Sequence, residues 1–241
     1  MITSIIIFAL SLISNIVFIE SLHRIKSYTF STSYFLLHFL TNILIIIITL
    51  PYALTLFDDP LGIDSDSDYK EYNYISYCYL ILVSLHSAHI LYQNKFIKWD
   101  ENAHHCLTII FWLIACYVQH PIYSVSVINV SGFPGGITYA MLFLKNLNYI
   151  SNLTEKKISM ELNIWIRSPF AVLFSTLMYG NLVYSEYNQV QRLCIIFMII
   201  FIIYNGVHFM RTIIKSYYDN RVDRVDRVDR VDRDLCELTK M

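Results

Sequence analysis

Charged residues are scarce in this sequence. Asp, Glu, Lys and Arg make up 15% of its 241 residues, and the formal net charge is -1. So small and balanced a charge gives no basic surface of the kind that binds nucleic acid, and we predict no nucleic-acid partner. Hydrophobic residues make up 56% of the chain, well above their share in soluble domains. The composition therefore indicates a membrane protein.

The cysteines do not predict a disulfide framework. The chain has five cysteines, at positions 78, 106, 116, 194 and 236, and no CxxC pair. An odd, scattered set predicts neither disulfide bridges nor a cysteine-ligated zinc site. Most of these cysteines lie in apolar stretches, where the side chain acts as a small hydrophobic group.

Hydrophobic runs of about 20 residues, the length that crosses a bilayer core, recur along the chain. We predict an all-α polytopic membrane protein with about seven transmembrane helices and no separate soluble domain. The predicted spans are about residues 2–19, 34–57, 74–92, 100–127, 137–150, 164–184 and 193–214. Together they form a membrane domain over residues 1–218.

Two breaks and a tail complete this predicted organisation. The pair His120-Pro121 predicts a kink in the fourth span, because proline removes a helix hydrogen bond. The segment NVSGFPGG, residues 129–136, is interpreted as a break before the fifth span, since its glycines free the backbone. Residues 219–241 carry a Val-Asp-Arg repeat, and we predict a cytosolic tail that is either disordered or a solvated helix.

Lysine and arginine fall almost entirely on one side of the predicted spans. Only Lys70 and Arg192 of the 18 basic residues lie in the alternate loops, which leaves 16 on the other side. Because basic loops stay in the cytosol, we predict a lumenal N-terminus and a cytosolic C-terminus. The first span lacks a basic n-region and a cleavage site, so it is predicted to be an uncleaved anchor. The predicted location is the endoplasmic reticulum or a related endomembrane.

Four histidines fall in the predicted third and fourth spans: His86, His89, His104 and His105. Ionisable side chains inside a bilayer are costly and are candidates for function. His86 and His89 share one helix face, because they are three residues apart. In an antiparallel helix pair, His89 and His104 lie at the same depth, just under the cytosolic interface. This hairpin is the predicted site.

Two polar residues accompany the histidine pair of the fourth span. Asp100 is predicted to be the N-cap of that span, where its side chain accepts a backbone N–H. His104 then lies about one turn inside the span, and Thr108 lies one further turn along the same face.

Three interpretations of the histidines remain open. They could be hydrogen-bonding residues that only tie helices together. One of them could act as a general base or a nucleophile at a lipid-facing pocket. Alternatively, HSAH and HH could bind a metal, although their spacing differs from the HxxxH and HxxHH boxes of membrane desaturases and hydroxylases. We assign no metal ligands and predict no cofactor.

The stretch from about residue 70 to about residue 215 resembles the TLC-domain family (the TRAM, Lag1 and CLN8 proteins). The resemblance rests on an ordered set of segments: DENAHHCLT, then GGITYAMLFLKNLNYI, then IRSPFAVLF. In that family an acidic residue precedes an HH pair at the start of a span, and a threonine follows three positions after it. The later segments of the family are similar to the stretches around Tyr139 and around Arg167 and Pro169.

The resemblance implies a TLC-like bundle with a histidine-lined, cytosol-facing lipid pocket that acts in lipid synthesis, sensing or homeostasis. The implied partners are membrane lipids and acyl-CoA, and the activity implied for an enzyme is lipid N-acyl transfer. The candidate catalytic residues are His104, His105, Asp100 and Thr108, and the candidate substrate-binding residues are His86, His89, Arg167 and Tyr139. Arginine is suited to a phosphate or carboxylate headgroup, which it binds bidentately.

Other classes of protein remain open as alternatives. A non-enzymatic membrane cargo or chaperone factor would use the same histidines as ties between helices. A small-solute transporter would need inverted repeats with paired broken helices, and only one break is predicted here. A metal-dependent lipid hydroxylase would need bound iron or zinc.

Overall fold

The structure is a computed structural model that describes residues 2–26, 28–55, 58–61, 69–93, 99–119 and 122–238. Every regular element within these ranges is helical, which confirms the all-α prediction for the part of the chain described. The α-helices are α1 (Ile2–Lys26), α2 (Phe30–Thr55), α3 (Tyr69–Gln93), α4 (Trp99–Val118), α5 (Ile122–Val127), α6 (Phe133–Asn146), α7 (Asn152–Leu162), α8 (Ser168–Tyr184) and α9 (Gln189–Leu238).

Two π-helical segments join neighbouring α-helices into longer continuous helices. Ile128–Gly132 connects α5 to α6, and Asn163–Arg167 connects α7 to α8. The residues from 122 to 146 therefore form one helix, about 37 Å long at 1.5 Å per residue. A π turn adds one residue to a helix and shifts the face that the following side chains occupy.

The segment NVSGFPGG is not a break between spans, and that prediction is wrong. The π turn carries the helix through its first residues, and α6 continues from Phe133. Pro134 lies in the first turn of α6, where the missing backbone N–H is tolerated. The glycines serve close packing rather than a bend, because a side chain built on Gly132 would lie 2.9 Å from Cγ1 of Ile46.

The chain turns instead at the end of α4. That helix ends at Val118, so the predicted extension of the fourth span to residue 127 is wrong. Gln119 follows with a φ of 51°, in the left-handed region that ends many helices. The predicted kink at His120-Pro121 lies outside the described residues.

The helices form a ring with α2 reaching across it. Neighbouring contacts run from α1 to α3, from α3 to α4, from α4 to α9, from α9 to α7 and α8, from α7 to α6, from α6 to α2 and from α2 back to α1. Helix α2 also contacts α3. The start of α2, the end of α3 and the start of α4 meet at one end of the bundle, where the ring of His89 contacts those of Tyr34 and His105.

Buried residues separate into two clusters. The larger one includes a stacked pair, Tyr79 and Trp112, whose ring centroids are 5.6 Å apart. The smaller one contains Ile19, Tyr34 and Leu85, with Tyr139 packed against it. This smaller cluster adjoins the histidines and supports them from the apolar side.

The outer surface of the helices is largely apolar, as a bilayer requires. Isoleucine, leucine and valine side chains are exposed along α1, α2, α8 and α9. In the described part of the chain, three helical segments are long and apolar enough to cross a membrane: residues 2–25, 30–55 and 189–222. Two shorter apolar helical stretches, Ile75–Leu91 and Asn102–Val118, lie between them.

The tail continues the last helix. Helix α9 runs to Leu238, through the Val-Asp-Arg repeat. At 50 residues it is about 75 Å long, far more than a bilayer core requires.

Candidate functional site

Helices α3 and α4 bring the two histidine pairs of the predicted hairpin into contact. Nδ1 of His86 lies 2.8 Å from Nδ1 of His105, within hydrogen-bond distance. The rings of His89 and His105 have centroids 4.2 Å apart. His104 lies beside them, with its centroid 5.4 Å from that of His105. All four candidate histidines therefore belong to one cluster.

The His86–His105 bond determines what this pair can do with a proton. A hydrogen bond between two Nδ1 atoms needs one hydrogen, so one ring donates and the other accepts. The accepting ring carries its own hydrogen on Nε2, and the donating ring has a basic Nε2. A proton that arrives at one Nε2 can thus leave from the other, with no net charge left in the apolar interior.

Helix α2 extends the cluster with residues that were not among the predicted site residues. The hydroxyl of Tyr34 hydrogen-bonds to Nε2 of His38. The ring of His38 stacks on Tyr139 at 4.0 Å and lies 5.4 Å from that of His86. Tyr34 also contacts His89, at 3.9 Å between centroids. The predicted residue Tyr139 is thus part of the same cluster.

A sequence signal for this extension exists in α2. Tyr34, His38 and Asn42 are four residues apart and share one helix face in an otherwise apolar span. All three are buried. A polar stripe at this spacing in a predicted membrane helix marks the face turned toward the bundle interior.

Arg167 lies on the other side of His104, with Phe209 between them. The guanidinium carbon of Arg167 is 5.5 Å from the centroid of the Phe209 ring, a cation–π contact. The ring of His104 meets the same phenyl ring edge-on at 4.8 Å. Helix α9 therefore links the predicted arginine to the histidine cluster.

The structure does not link the other two predicted catalytic residues, Asp100 and Thr108, to the histidine rings. Helix α4 begins at Trp99, so Asp100 lies in its first turn rather than before it. The side chain of Asp100 lies outside the described residues. The hydroxyl of Thr108 donates to the backbone carbonyl of His104 at 2.8 Å, so it bonds within its own helix. Their catalytic roles stay predictions.

A buried polar stripe along α7 leads to Arg167 and was not predicted. Ser159 donates to a carboxylate oxygen of Glu155 at 3.0 Å, and both residues are about 1% exposed. The side-chain amide of Asn163 donates to the backbone carbonyl of Ser159 at 2.7 Å. Nη1 of Arg167 donates to Oδ1 of Asn163 at 3.5 Å. The spacing of four residues was the available signal.

Several buried polar atoms at the site have no hydrogen-bond partner among the described residues. They include both amide atoms of Asn42, Nδ1 of His38, Nε2 of His86 and Nε of Arg167. A polar group left unpaired in an apolar interior costs roughly 1–3 kcal/mol. Because so many occur within a few helix turns, the site is suited to a polar or charged ligand group or to ordered water.

The cluster does not form an evident metal centre. Within the described ranges, no three His, Cys, Asp or Glu side chains are grouped so that they could hold a metal ion. Nδ1 of His86 and Nδ1 of His105 point at each other, whereas ligands of one metal point at a common centre.

Comparisons of the chain with protein-family models, with curated proteins and with solved structures give no match.

Proposed function

We propose that this chain is a multi-pass endomembrane protein with about seven membrane-crossing helices, whose histidine cluster acts on a membrane lipid in lipid synthesis, sensing or homeostasis. The observation that carries the proposal is the His86–His105 hydrogen bond at 2.8 Å, deep in a bundle with an apolar outer surface. Buried imidazoles are costly in a bilayer, so a hydrogen-bonded pair of them indicates a functional role.

Acyl transfer is the reaction class that fits a neutral imidazole pair. A lipid amine or hydroxyl attacks the thioester carbon of an acyl-CoA, and its proton passes to a basic Nε2 of the pair. The C–S bond then breaks, and the thiolate of coenzyme A takes the proton that the second imidazole releases from its Nε2–H. The new C–N or C–O bond joins the acyl group to the lipid, and the histidines return to their starting number of protons.

The other candidate residues take supporting positions in this proposal. His89 packs on His105 at 4.2 Å between centroids and limits its rotation. Tyr139 stacks on His38 and closes one side of the cluster. Arg167 holds the negative group of the lipid, because its Nε is buried and without a partner among the described residues. We also propose that the chain is a TLC-like protein and that its site opens to the cytosol.

The competing candidate is a non-enzymatic membrane factor in which the histidines only tie helices together. Stacked and edge-on ring contacts, such as those of His38 with Tyr139 and His104 with Phe209, favour it. Such a protein would bind cargo or a solute without changing a lipid. The metal-dependent hydroxylase has no comparable observation in its favour among the described residues.

The experiment that separates these candidates is lipid analysis of membranes that express the wild type or the double variant His104→Ala/His105→Ala at matched protein levels. The matched control is Cys106→Ala, the next residue of the same helix, whose side chain is exposed on the outside of the bundle. We expect one lipid class to change with the wild type and the control, and not with the double variant.

Folding of each variant is checked by size-exclusion chromatography before the lipid profiles are compared. If the folded double variant gives the same lipid profile as the wild type, the histidines are structural, and the non-enzymatic function replaces the proposal.

A further inference from the structure

One face of α9 carries an exposed polar stripe, called the α9 stripe below. It consists of four exposed residues: Tyr204, His208, Arg211 and Lys215. Steps of four, three and four residues place these side chains within about 60° of one another around the helix. The next face of α9 is also exposed, but it is apolar, at Ile203 and Val207. The polar character is therefore confined to one side of a helical segment that is long and apolar enough to cross a membrane.

Half of the α9 stripe lies at the depth of the bilayer core. About 20 helical residues cross a core of about 30 Å, so a crossing that begins at the start of α9 ends just before Arg211. Arg211 and Lys215 then lie at the level of the lipid headgroups, whereas Tyr204 and His208 lie within the edge of the core. The rings of these two residues stack, with centroids 5.4 Å apart. An exposed imidazole at this depth is costly, so it marks a place where a polar group of another molecule binds.

The α9 stripe lies beside the seam between α4 and α9, where His104 is half-buried. Lower in this seam, the ring of Phe201 packs on that of Phe111 at 5.3 Å between centroids. His208 lies seven residues, or two turns, after Phe201, and His104 lies seven residues before Phe111. Because the two helices are antiparallel, both imidazoles lie at the same level of the seam. The contact of His104 with Phe209, at 4.8 Å, agrees with this register.

The two cations of the α9 stripe have no carboxylate partner among the described residues. The ion pairs in that part of the chain lie within α1 and within α7. Asp219 follows Lys215 by one turn on the same side of α9, further from the membrane, and it forms no ion pair there. The α9 stripe therefore carries a net positive charge at the level where the phosphates of a bilayer lie. An anionic group with three or four oxygens is complementary to it in charge and in depth.

We propose that the α9 stripe binds an anionic phospholipid of the cytosolic leaflet, with its phosphate on Arg211 and His208. The guanidinium binds phosphate oxygens bidentately, and the imidazole N–H donates to a further oxygen. The acyl chains lie below, along the exposed apolar side chains of the same helix. The inference rests on the proposed function and names its lipid as one that carries a phosphate, because the docked lipid lies at the seam that exposes His104. The α9 stripe is the outer binding site of this lipid, and Arg167, which contacts the neighbouring Phe209, is the inner one.

The test measures binding and not turnover. The full chain is purified in micelles of a nonionic detergent, and unlabelled compounds compete with a fluorescent phosphatidate at equilibrium. We expect phosphatidate to compete about tenfold or more better than diacylglycerol, which has the same chains without the phosphate, and than phosphatidylcholine, whose choline neutralises it. Glycerol phosphate, the headgroup without chains, should not compete at the same concentration. Equal competition by either neutral lipid overturns the proposal, and equal competition by glycerol phosphate shows a site for free phosphate instead of a lipid.

Three variants locate the bound phosphatidate. Arg211→Gln/Lys215→Gln is expected to weaken its binding about tenfold or more, and His208→Leu, which keeps an apolar side chain at that position, by a smaller factor. The matched control is Arg24→Gln/Lys157→Gln, which removes one arginine and one lysine from exposed positions on the same proposed side of the membrane. The control should bind phosphatidate like the wild type. Unchanged binding in folded Arg211→Gln/Lys215→Gln, or an equal loss in the control, contradicts a site on the α9 stripe.

Lipid analysis of the same variants separates this inference from the proposed function. The variant His104→Ala/His105→Ala should still bind phosphatidate and lose only the change in membrane lipids. Arg211→Gln/Lys215→Gln should lose the binding and most of the lipid change. A full lipid change in a variant that no longer binds phosphatidate overturns this inference and leaves the proposed function standing. Selective phosphatidate binding by a wild type that changes no lipid has the opposite meaning: the binding site stands and the proposed function fails.

Discussion

Each imidazole of the cluster needs hydrogen-bond partners for its two ring nitrogens. A neutral imidazole has one donor and one acceptor, and both need partners in a medium without water. His86 and His105 use each other for one of these, and His38 uses the hydroxyl of Tyr34. The second nitrogen of His86 and of His38 remains without a partner among the described residues. Those two nitrogens each have a bonding position that a ligand group or a water molecule could satisfy.

The hydrogen bond between His86 and His105 should couple the two residues energetically. We expect each single alanine variant to lower the free energy of unfolding, and the double variant to lower it by about 1 kcal/mol less than the sum, the usual worth of an interhelical polar contact in a membrane. Reversible unfolding in mixed micelles measures the three values. Strictly additive losses would mean that the Nδ1 atoms do not share a hydrogen.

The hydroxyl of Tyr34 should contribute to stability through His38 alone. Tyr34→Phe keeps the buried ring and removes the hydroxyl, so Nε2 of His38 loses its partner. We expect a loss of about 1–2 kcal/mol in the free energy of unfolding. The control is Tyr149→Phe, since Tyr149 is 75% exposed and outside the cluster. Equal effects of the two substitutions would contradict a structural role for the Tyr34–His38 bond.

At the scale of helices, the site depends on how closely α2 packs against the helix formed by α5, the π turn and α6. A Cβ built on Gly132 would lie 2.9 Å from Cγ1 of Ile46, and one built on Gly136 would lie 3.4 Å from Cβ of Asn42. One turn further along, Tyr139 of α6 meets His38 of α2. Gly132 therefore allows the close helix contact beside which the tyrosine and the histidine stack.

Gly132→Ala should separate these two helices. The added methyl group meets Ile46 at a distance that atoms do not adopt without a shift, and we expect a loss of about 1–3 kcal/mol in stability. The rescue variant adds Ile46→Ala, which removes the opposing side-chain atom. Thermal unfolding of the single and double variants gives the comparison, and failure of Ile46→Ala to recover any stability would show that the contact is not the cause.

The same helix shows where reading the sequence fails. Glycine and proline in GFPGG predict a break, because both residues weaken an isolated helix. In the bundle, Pro134 occupies the first turn of α6, and Gly132 faces α2 where a Cβ would lie only 2.9 Å from Cγ1 of Ile46. Packing outweighs propensity here, and a single sequence does not reveal the neighbouring helix.

The histidine hairpin, in contrast, could be located from the sequence. The spacing of three residues puts His86 and His89 on one face, and a short loop forces the two helices to be antiparallel neighbours, which brings the His104-His105 pair close to them. Helix α2 could not be placed against them, because nothing in the sequence specifies which distant helix closes a bundle. Phe209 was missed for the same reason.

At the scale of the whole molecule, the ring of helices encloses the polar residues and turns apolar ones outward. Within the described residues, three helical segments satisfy length and hydropathy for crossing a membrane, while the helices between them are shorter or interrupted by π turns. Two arrangements of the chain in the membrane are therefore to be distinguished. In one, all seven continuous helices cross the bilayer, as we propose. In the other, only the three longest apolar segments cross it.

The turn between α6 and α7 distinguishes these arrangements, because it lies on opposite sides of the membrane in the two cases. With seven crossings and a lumenal N-terminus, the segment around Tyr149 is cytosolic. With three crossings, everything between the second and third crossing, this turn included, is lumenal. Tyr149 is exposed, so a short insert after it is tolerated by the fold.

We therefore predict that a glycosylation sequon on a flexible insert after Tyr149 stays unmodified in cells, whereas the same insert before Ile2 is glycosylated and one after Met241 is not. Acceptor asparagines are modified only on the lumenal side, so a mobility shift that glycosidase reverses reads out each position. The matched inserts carry glutamine in place of the acceptor asparagine. Glycosylation after Tyr149 would favour the three-crossing arrangement, which leaves α3 to α8 outside the bilayer, and the histidine cluster would then face water instead of lipid. In that case a site for membrane lipids could not be maintained, because the apolar helices around the cluster would need a protein partner to cover them.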